Sequence, residues 1–334
     1  MPDFLLWLNV IWILAVIVFI HEMGHYLVAR WNGVAIHTFS IGFGKELFGW
    51  NDRHGTRWRI AAVPLGGYVR FVGDMTAAST PDNEAIANAS PELAPQLFAN
   101  KTVWQRIAVV AAGPAANVIL TFLILYALLL GYGRYTIPPV VGEVIAGSVA
   151  EAAGLEAGDV ITSVDGYAVR GFEDFQRLVA TSPERPVTVD LERGGGSRTI
   201  VLTPESVEIE DRFGKTQKIG RIGVSRDVSE SDVTLYRPGP VEAVGMTFEE
   251  IRFIIQRTAA YLGDFFVGRG DVEQLGGPIK VAQVSGEVAT LGFVALINLT
   301  ALLSLNIGIF NLLPVPMLDG GHLLYYLVEA VRGR

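Results

Sequence analysis

Apolar residues gather into three long runs separated by stretches of polar chain. Phe4–Ile20 is nearly continuous and extends through His21-Glu22-Met23-Gly24-His25 to Ala29. Ile107–Leu130 is interrupted by Gly113-Pro114 and Asn117, and Phe293–Leu313 ends at Pro314. Each approaches or exceeds the roughly 20 residues that a helix needs to cross a bilayer. The first run has no base ahead of it and no small-residue cleavage site behind it, so it reads as a retained helix rather than a signal peptide. Arg30, Lys45, Arg53, Arg57, Arg59, Arg70, Lys101 and Arg106 lie between the first two runs, and no base precedes the first. The positive-inside rule makes that loop cytoplasmic. The segment from Gly131 to Leu291 is then outside, and Arg332 and Arg334 are inside again.

Between the second and third runs the pattern changes to short alternating strands: Val140–Val144, Val187–Leu191 and Thr199–Leu202, with a helical stretch at Phe172–Val179. Gly154-Leu155-Glu156-Ala157-Gly158-Asp159-Val160-Ile161 followed by Asp165-Gly166 combines a glycine turn, an apolar strand and a hairpin signal. This stretch resembles a bacterial PDZ domain, a fold that takes extended peptides onto a sheet edge. The alternative is a PDZ-like spacer without a ligand. Beyond it, Val244, Phe248, Ile251, Ile254 and Ile255, then Leu262, Phe265 and Phe266, recur at helical spacing and predict amphipathic helix. The domains expected are residues 1–136 (two spans with a β-like cytoplasmic loop), 137–225 (the PDZ unit), 226–291 (an amphipathic helical linker) and 292–334 (the third span and the Leu318-Asp319-Gly320 motif).

Composition sharpens this picture. Half of the 334 residues are apolar and 18% are charged, against about 25% charged in soluble domains; the mean hydropathy is +0.38. The net charge of −8, without a basic cluster, argues against nucleic acid as a partner. With no cysteine, disulfides, thiolate metal sites and cysteine catalysis are excluded. Any metal must be held by histidine and carboxylate.

His21-Glu22-Met23-Gly24-His25 is an HExxH motif. On a helix, residues i and i+4 share a face, so His21 and His25 can grip one metal while Glu22 reaches the water that such a metal activates. Ionisable groups in a membrane helix are costly and mark working sites. A catalytic zinc normally has three protein ligands and one open position. His37, His54 and His322 are candidates for the third, and Asp319 is a better one. It sits in Asn311-Leu312-Leu313-Pro314-Val315-Pro316-Met317-Leu318-Asp319-Gly320-Gly321, where two prolines stop the third run abruptly. Taken alone, without a metal nearby, Asp319 reads first as the cap of a helix starting near Gly321.

With these motifs in order, the chain resembles the site-2 protease group of intramembrane zinc metalloproteases, specifically the bacterial regulator-of-sigma-E protease type. Further similar stretches are Phe39–Gly44, Pro64–Val69, Gly113-Pro114-Ala115-Ala116-Asn117 and Gly276-Gly277-Pro278-Ile279. The resemblance implies an α-helical polytopic membrane protein with an inserted α+β PDZ domain. It implies that His21, His25 and Asp319 bind one zinc ion per chain and that Glu22 is the catalytic base. It also implies a fourth span after the Asp319 motif, so three spans are present here and one is missing from the pattern. A single PDZ unit stands where some members have two.

A membrane helix hides its carbonyls in its own hydrogen bonds, so a substrate helix must unwind before it can be cut. Gly42-Phe43-Gly44 and the strand-like Trp58–Val69 segment are expected to receive it, with Asn311, Pro314 and Pro316 nearby. Asn311 is equally suited to packing within its span. The function expected is regulated intramembrane proteolysis at the bacterial inner membrane. Its substrate is a single-span protein, such as an anti-sigma factor already cut outside or a remnant signal peptide. The PDZ unit is expected in the periplasm, where it has a peptide as a further candidate partner, and the active site near the cytoplasmic side. The competing readings are a catalytically silent PDZ scaffold and a zinc transporter, which would spread polar residues along several spans.

Overall fold

The computed structural model describes residues 3–74, 82–210, 216–226, 232–266 and 278–333; Gly276, Gly277 and Arg334 lie outside them. The first helix, α1, spans Asp3–Trp31, followed by two long strands, β1 (Ile36–Asn51) and β2 (Arg57–Phe71). A short α2 (Asn83–Ala87) and two 3-10 turns precede α3 (Val103–Tyr132). Next come β3 (Arg134–Thr136), β4 (Glu143–Val144), α4 (Val149–Ala152), β5 (Val160–Val164), β6 (Tyr167–Ala168) and α5 (Phe172–Ala180). Five further strands succeed these: β7 (Val187–Arg193), β8 (Gly196–Leu202), β9 (Glu205–Glu210), β10 (Thr216–Arg221) and β11 (Val224–Ser225). The chain continues with β12 (Thr234–Tyr236), α6 (Pro240–Phe266), α7 (Pro278–Thr290), α8 (Phe293–Asn311) and α9 (Asp319–Arg332). Among the described residues, Ile11–Trp31, Val103–Tyr132 and Phe293–Asn311 are helices long and apolar enough to cross a membrane. The last of these ends two residues before Leu313, because the chain leaves the helix ahead of Pro314.

The chain divides into two units: residues 1–128 with 250–334, and residues 129–249. In the first, α3 and α8 meet along Ala301, Ser304 and Gly308, small residues that let two apolar helices approach closely. A Cβ on Gly308 would stand 3.2 Å from the Asn117 Cβ and from the Pro114 carbonyl oxygen. Thr121 Oγ1 donates to the Ala301 carbonyl at 3.0 Å and Ser304 Oγ to the Asn117 carbonyl at 3.1 Å. Ile13 and Ile17 of α1 pack with Leu299 of α8 and with Val284 and Val288 of α7. Thus α7, on a stretch expected to be linker, belongs to the membrane unit's core.

Strands β1 and β2 pair with each other, and the first half of β1 has β2 on both sides: Thr38 faces Arg70 and Arg57, and Ser40 faces Tyr68 and Arg59. Phe39 and Val69 from these strands join Tyr26, Ala29, Val109 and Tyr326 in one apolar cluster. The connection between them is fixed by Asp52, which accepts from Tyr26 Oη at 2.8 Å and from Trp58 Nε1 at 3.0 Å. It also accepts from the amides of His54 at 2.8 Å and Thr56 at 3.0 Å. Burial alone would raise the Asp52 carboxyl, but these four donors outweigh it and hold its pKa at about 2. This anchor on α1 sets where the strands lie relative to the HExxH turn.

The second unit is α+β. Its main sheet has the order β6-β5-β7-β8. Along β7, Val187, Val189 and Leu191 point into the core, as strand alternation requires. Phe172, Phe175 and Leu178 of α5 are buried in the same unit. Asp165 and Gly166 form the two-residue turn between β5 and β6, both with positive φ, the signature of a type I′ hairpin. Pairing of β3 with β12 closes the unit, so it begins earlier and ends later than residues 137–225, and a strand precedes α6 in the stretch expected to be purely helical.

Candidate metal centre

The HExxH residues lie in the C-terminal third of α1, where helical spacing brings His21 and His25 onto one face. Asp319 arrives from the far end of the chain. After α8 the backbone turns sharply: Met317 takes a positive φ of 75°, and a Cβ on Gly320 would stand 2.3 Å from the carbonyl oxygens of Leu312 and Leu313. Only glycine permits that fold-back, and it delivers the residue before it, Asp319, to the histidines. Asp319 is the first residue of α9, and no side chain caps this helix; the carboxylate faces the imidazoles instead. Helix α9 is in turn held by Tyr326, which meets Phe98 edge-on and lies 4.8 Å beneath the Arg106 guanidinium. Arg106 also pairs with Glu329.

His21 Nε2 lies 3.3 Å from His25 Nε2, 3.1 Å separates His21 Nε2 from Asp319 Oδ2, and 3.5 Å separates His25 Nε2 from that same oxygen. Zinc bonds of roughly 2.0–2.2 Å in a tetrahedron space the donors about 3.3 Å apart, so these three atoms outline one face of such a tetrahedron. Asp319 Oδ2 is buried and lies against the two imidazole nitrogens without a well-formed hydrogen bond among the described residues. A buried carboxylate oxygen aimed between two imidazole nitrogens suits a cation. Burial by itself would raise the Asp319 carboxyl; the facing histidines outweigh it and hold the group well below the usual carboxylate range. The donor set therefore fits zinc.

The floor of the site is α3. A Cβ on Gly113 would fall 2.2 Å from His25 Nε2 and 2.8 Å from His21 Nε2, so any side chain there would invade the donor cluster. Pro114 has no N–H to offer the Val110 carbonyl, which loosens this turn of helix. The neighbouring Val109 carbonyl accepts from His25 Nδ1 at 2.8 Å.

The three donors and Glu22 line a cavity of about 290 Å³ that also includes Phe43, Tyr68, Asn311 and His322. Gly42, Gly44, Pro314 and Pro316 are not among its lining residues. The roof is β2: a Cβ on Gly67 would stand 2.8 Å from Val18 Cγ1 and 3.1 Å from Glu22 Cγ. His37 and His54 do not join the group, and His322 lines the cavity without joining the donor cluster. Sequence reasoning gave Tyr68, Tyr326 and Asn117 no individual role. The signal for Asn117 was a bare amide inside an apolar span, a costly placement.

These features fit a metal centre of the metallopeptidase kind, and comparison with known proteins places the chain in such a family. The model of peptidase family M50 matches residues 9–334. The "Putative zinc metalloprotease R01501" of Rhizobium meliloti is 47% identical over 97% of this chain and 87% of its own. "Metalloprotease MmpA" of Caulobacter vibrioides is 37% identical over 98% and 87%. The chain belongs to peptidase family M50, the site-2 protease family, whose members are membrane zinc metalloproteases. Among solved structures, the PDZ domain of an SdrC-like protein from Listeria monocytogenes covers 26% of this chain and 83% of its own, at 23% identity and a TM-score of 0.20. That likeness is too slight to assign the second unit's fold.

Proposed function

We propose that the chain is an intramembrane endopeptidase in which His21, His25 and Asp319 hold one zinc ion and Glu22 is the general base. The observation that carries this reading is the near-tetrahedral spacing of the three donors, at 3.1, 3.3 and 3.5 Å, beside Glu22 in one cavity. When bound, zinc polarises a scissile carbonyl and makes water more acidic. Glu22 takes a proton from the attacking water and returns it to the departing amide nitrogen. Asn311, at the end of α8, donates to the substrate carbonyl as negative charge develops on it.

The substrate is a single-span protein whose helix has locally unwound, because only an extended chain presents a free carbonyl. The Gly67–Phe71 segment of β2 supports this reading: it lies over Glu22 and pairs with β1, so its other edge is suited to pair with an extended segment. Phe43, in contact distance of Tyr68 with ring centroids 6.1 Å apart, flanks that path; Gly42 and Gly44, both with positive φ, let the strand bend around it, and Pro314 and Pro316 act one step away, in the turn that carries the chain from α8 to Asp319. We assign the protein to the bacterial inner membrane, with residues 137–225 as a periplasmic PDZ domain that accepts a peptide and the metal centre nearer the cytoplasmic side. An anti-sigma factor trimmed outside, or a remnant signal peptide, fits this substrate class.

The test compares wild type with Glu22→Gln on a membrane-spanning reporter in proteoliposomes. The variant should keep its zinc and its fold and lose about 10²- to 10⁴-fold in turnover. Cleavage at the wild-type rate would overturn the assignment of Glu22, and folded wild type without zinc would leave the membrane scaffold as the better reading.

A further inference from the structure

Two imidazoles that share a metal must each present an unprotonated nitrogen to it, and the ring proton must then sit on the other nitrogen, where it needs an acceptor. For His25 the acceptor is plain: Nδ1 lies 2.8 Å from the Val109 carbonyl, so its proton is held there and Nε2 is free. His21 has no carbonyl in that role. Its Nδ1 faces the side chain of Asn117, whose Nδ2 is 3.3 Å away. The other end of the same amide, Oδ1, is buried and has no hydrogen-bond partner among the described residues.

An amide N–H donating to Nδ1 puts the ring proton on Nε2, the nitrogen that faces His25 and Asp319. In that tautomer His21 has no electron pair to give a cation. Turning the amide by half a rotation about its Cβ–Cγ bond exchanges its two ends and brings the orphaned oxygen to Nδ1. The rest of Asn117 is fixed. Its carbonyl accepts from Ser304 Oγ at 3.1 Å and shares with the Ala301 carbonyl the single proton of Thr121 Oγ1, 2.9 Å away, and the residue is fully buried. Amide rotation is therefore the freedom that remains to it.

We infer that Asn117 is a positioning residue that sets the tautomer of His21: its Oδ1 accepts the Nδ1 proton and leaves the Nε2 electron pair to the metal. The inference rests on the proposed metal site. It also explains why an uncharged amide stands inside an apolar span. A carboxylate would serve as acceptor too, whereas an apolar residue of equal size would not.

The test is zinc affinity, measured by chelator competition on the full chain in detergent, together with ¹⁵N spectra of labelled histidine, tractable with five histidines in the chain. Asn117→Leu should weaken zinc binding about 10- to 100-fold, while Asn117→Asp stays within about threefold of wild type. Ser304→Ala, which removes a packing hydrogen bond to the Asn117 carbonyl but leaves the amide, should bind zinc as wild type does. In zinc-loaded wild type, His21 should show a protonated Nδ1 and a metal-bound Nε2; this measurement stands whether or not Asn117→Leu folds. The inference is overturned if folded Asn117→Leu binds zinc normally, if Asn117→Asp loses as much as Asn117→Leu, if Ser304→Ala weakens binding equally, or if His21 Nδ1 carries no proton in the loaded protein. Failure of wild type to bind zinc would instead overturn the metal site itself.

Discussion

The metal corner and the sheet unit solve opposite packing problems. In the membrane unit the buried side chains of α1, α3 and α8 are mostly apolar, and three of the polar ones meet between α3 and α8. There Asn117, Thr121 and Ser304 are buried, each bonding to a neighbouring helix or to His21, while Thr300 is buried on a bond to its own helix. In the sheet unit, charged groups form separate ion pairs around an ordinary alternating core, two of them anchored on the buried carboxylates Asp159 and Asp174. The guanidinium of Arg193 bonds to Asp159 at 2.6 and 2.7 Å and to the Gly154 carbonyl at 2.7 Å, tying the glycine turn to the end of β7. Polarity in the first unit thus carries geometry for chemistry, and in the second it carries stability. Damage should sort accordingly: lost function without unfolding in one, local unfolding without lost metal in the other.

The sharpest test of that contrast is Gly113→Ala. The added methyl enters the donor cluster, so zinc content should collapse and proteolysis fall by at least about 10²-fold, while hydrogen exchange across residues 140–202 stays unchanged. Metal analysis and exchange mass spectrometry read the two halves of this prediction, and slowed or quickened exchange in the sheet unit would break the comparison. In the other direction, Leu191→Ala leaves a cavity in a fully buried site and should cost the sheet unit about 2–5 kcal/mol, visible as a lowered melting step at constant zinc content. Arg193→Ala should lower the same step by less, because it strips partners from the buried Asp159 without opening the core.

The smallest effect concerns Asp52. Its carboxyl titrates at about 2 in the folded protein, below the roughly 3.9 of an unfolded chain. A depressed carboxyl contributes stability that is complete above the unfolded value and disappears as pH falls through the folded one. The β1–β2 anchor should therefore hold at pH 5 and weaken between about pH 4 and 2, followed by tryptophan fluorescence as Trp58 loses its partner. Asp52→Ala should remove this acid step and leave the sheet unit untouched.

Local periodicity made three of the four residues of the proposed site readable from sequence. His21, Glu22 and His25 fall within two turns of one helix, so their common face comes from the helical repeat alone. Asp319 was different. Its pairing with the histidines spans the chain and depends on the fold-back at Met317 and Gly320, which no local pattern encodes; the prolines that end the third run marked it as a candidate, and the resemblance to a family motif chose it over a helix cap. Asn117 sits 96 residues from His21, and their meeting depends on how α1 and α3 lie against each other. Nothing in the Gly113–Asn117 stretch states that register. The long strands were visible as a β-like loop, but the way β2 flanks β1 on both sides arises from bulges within extended strands. For α7 no apolar face stood out in the sequence, the helical spacing lying in α6, and packing of Val284 and Val288 against Ile13 and Ile17 is what assigns it to the membrane unit.

The placement of the metal donors also has a consequence in time. His25 and Asp319 are separated by 319 − 25 = 294 residues, and at synthesis rates of about 5–20 residues per second the ribosome needs roughly 15–60 s to pass from one to the other. During that interval a growing chain carries two histidines and a glutamate in the bilayer with no third donor. On the proposed site, a nascent copy lacks its third donor, and the capacity to cut would be withheld until the Asp319 segment has left the ribosome.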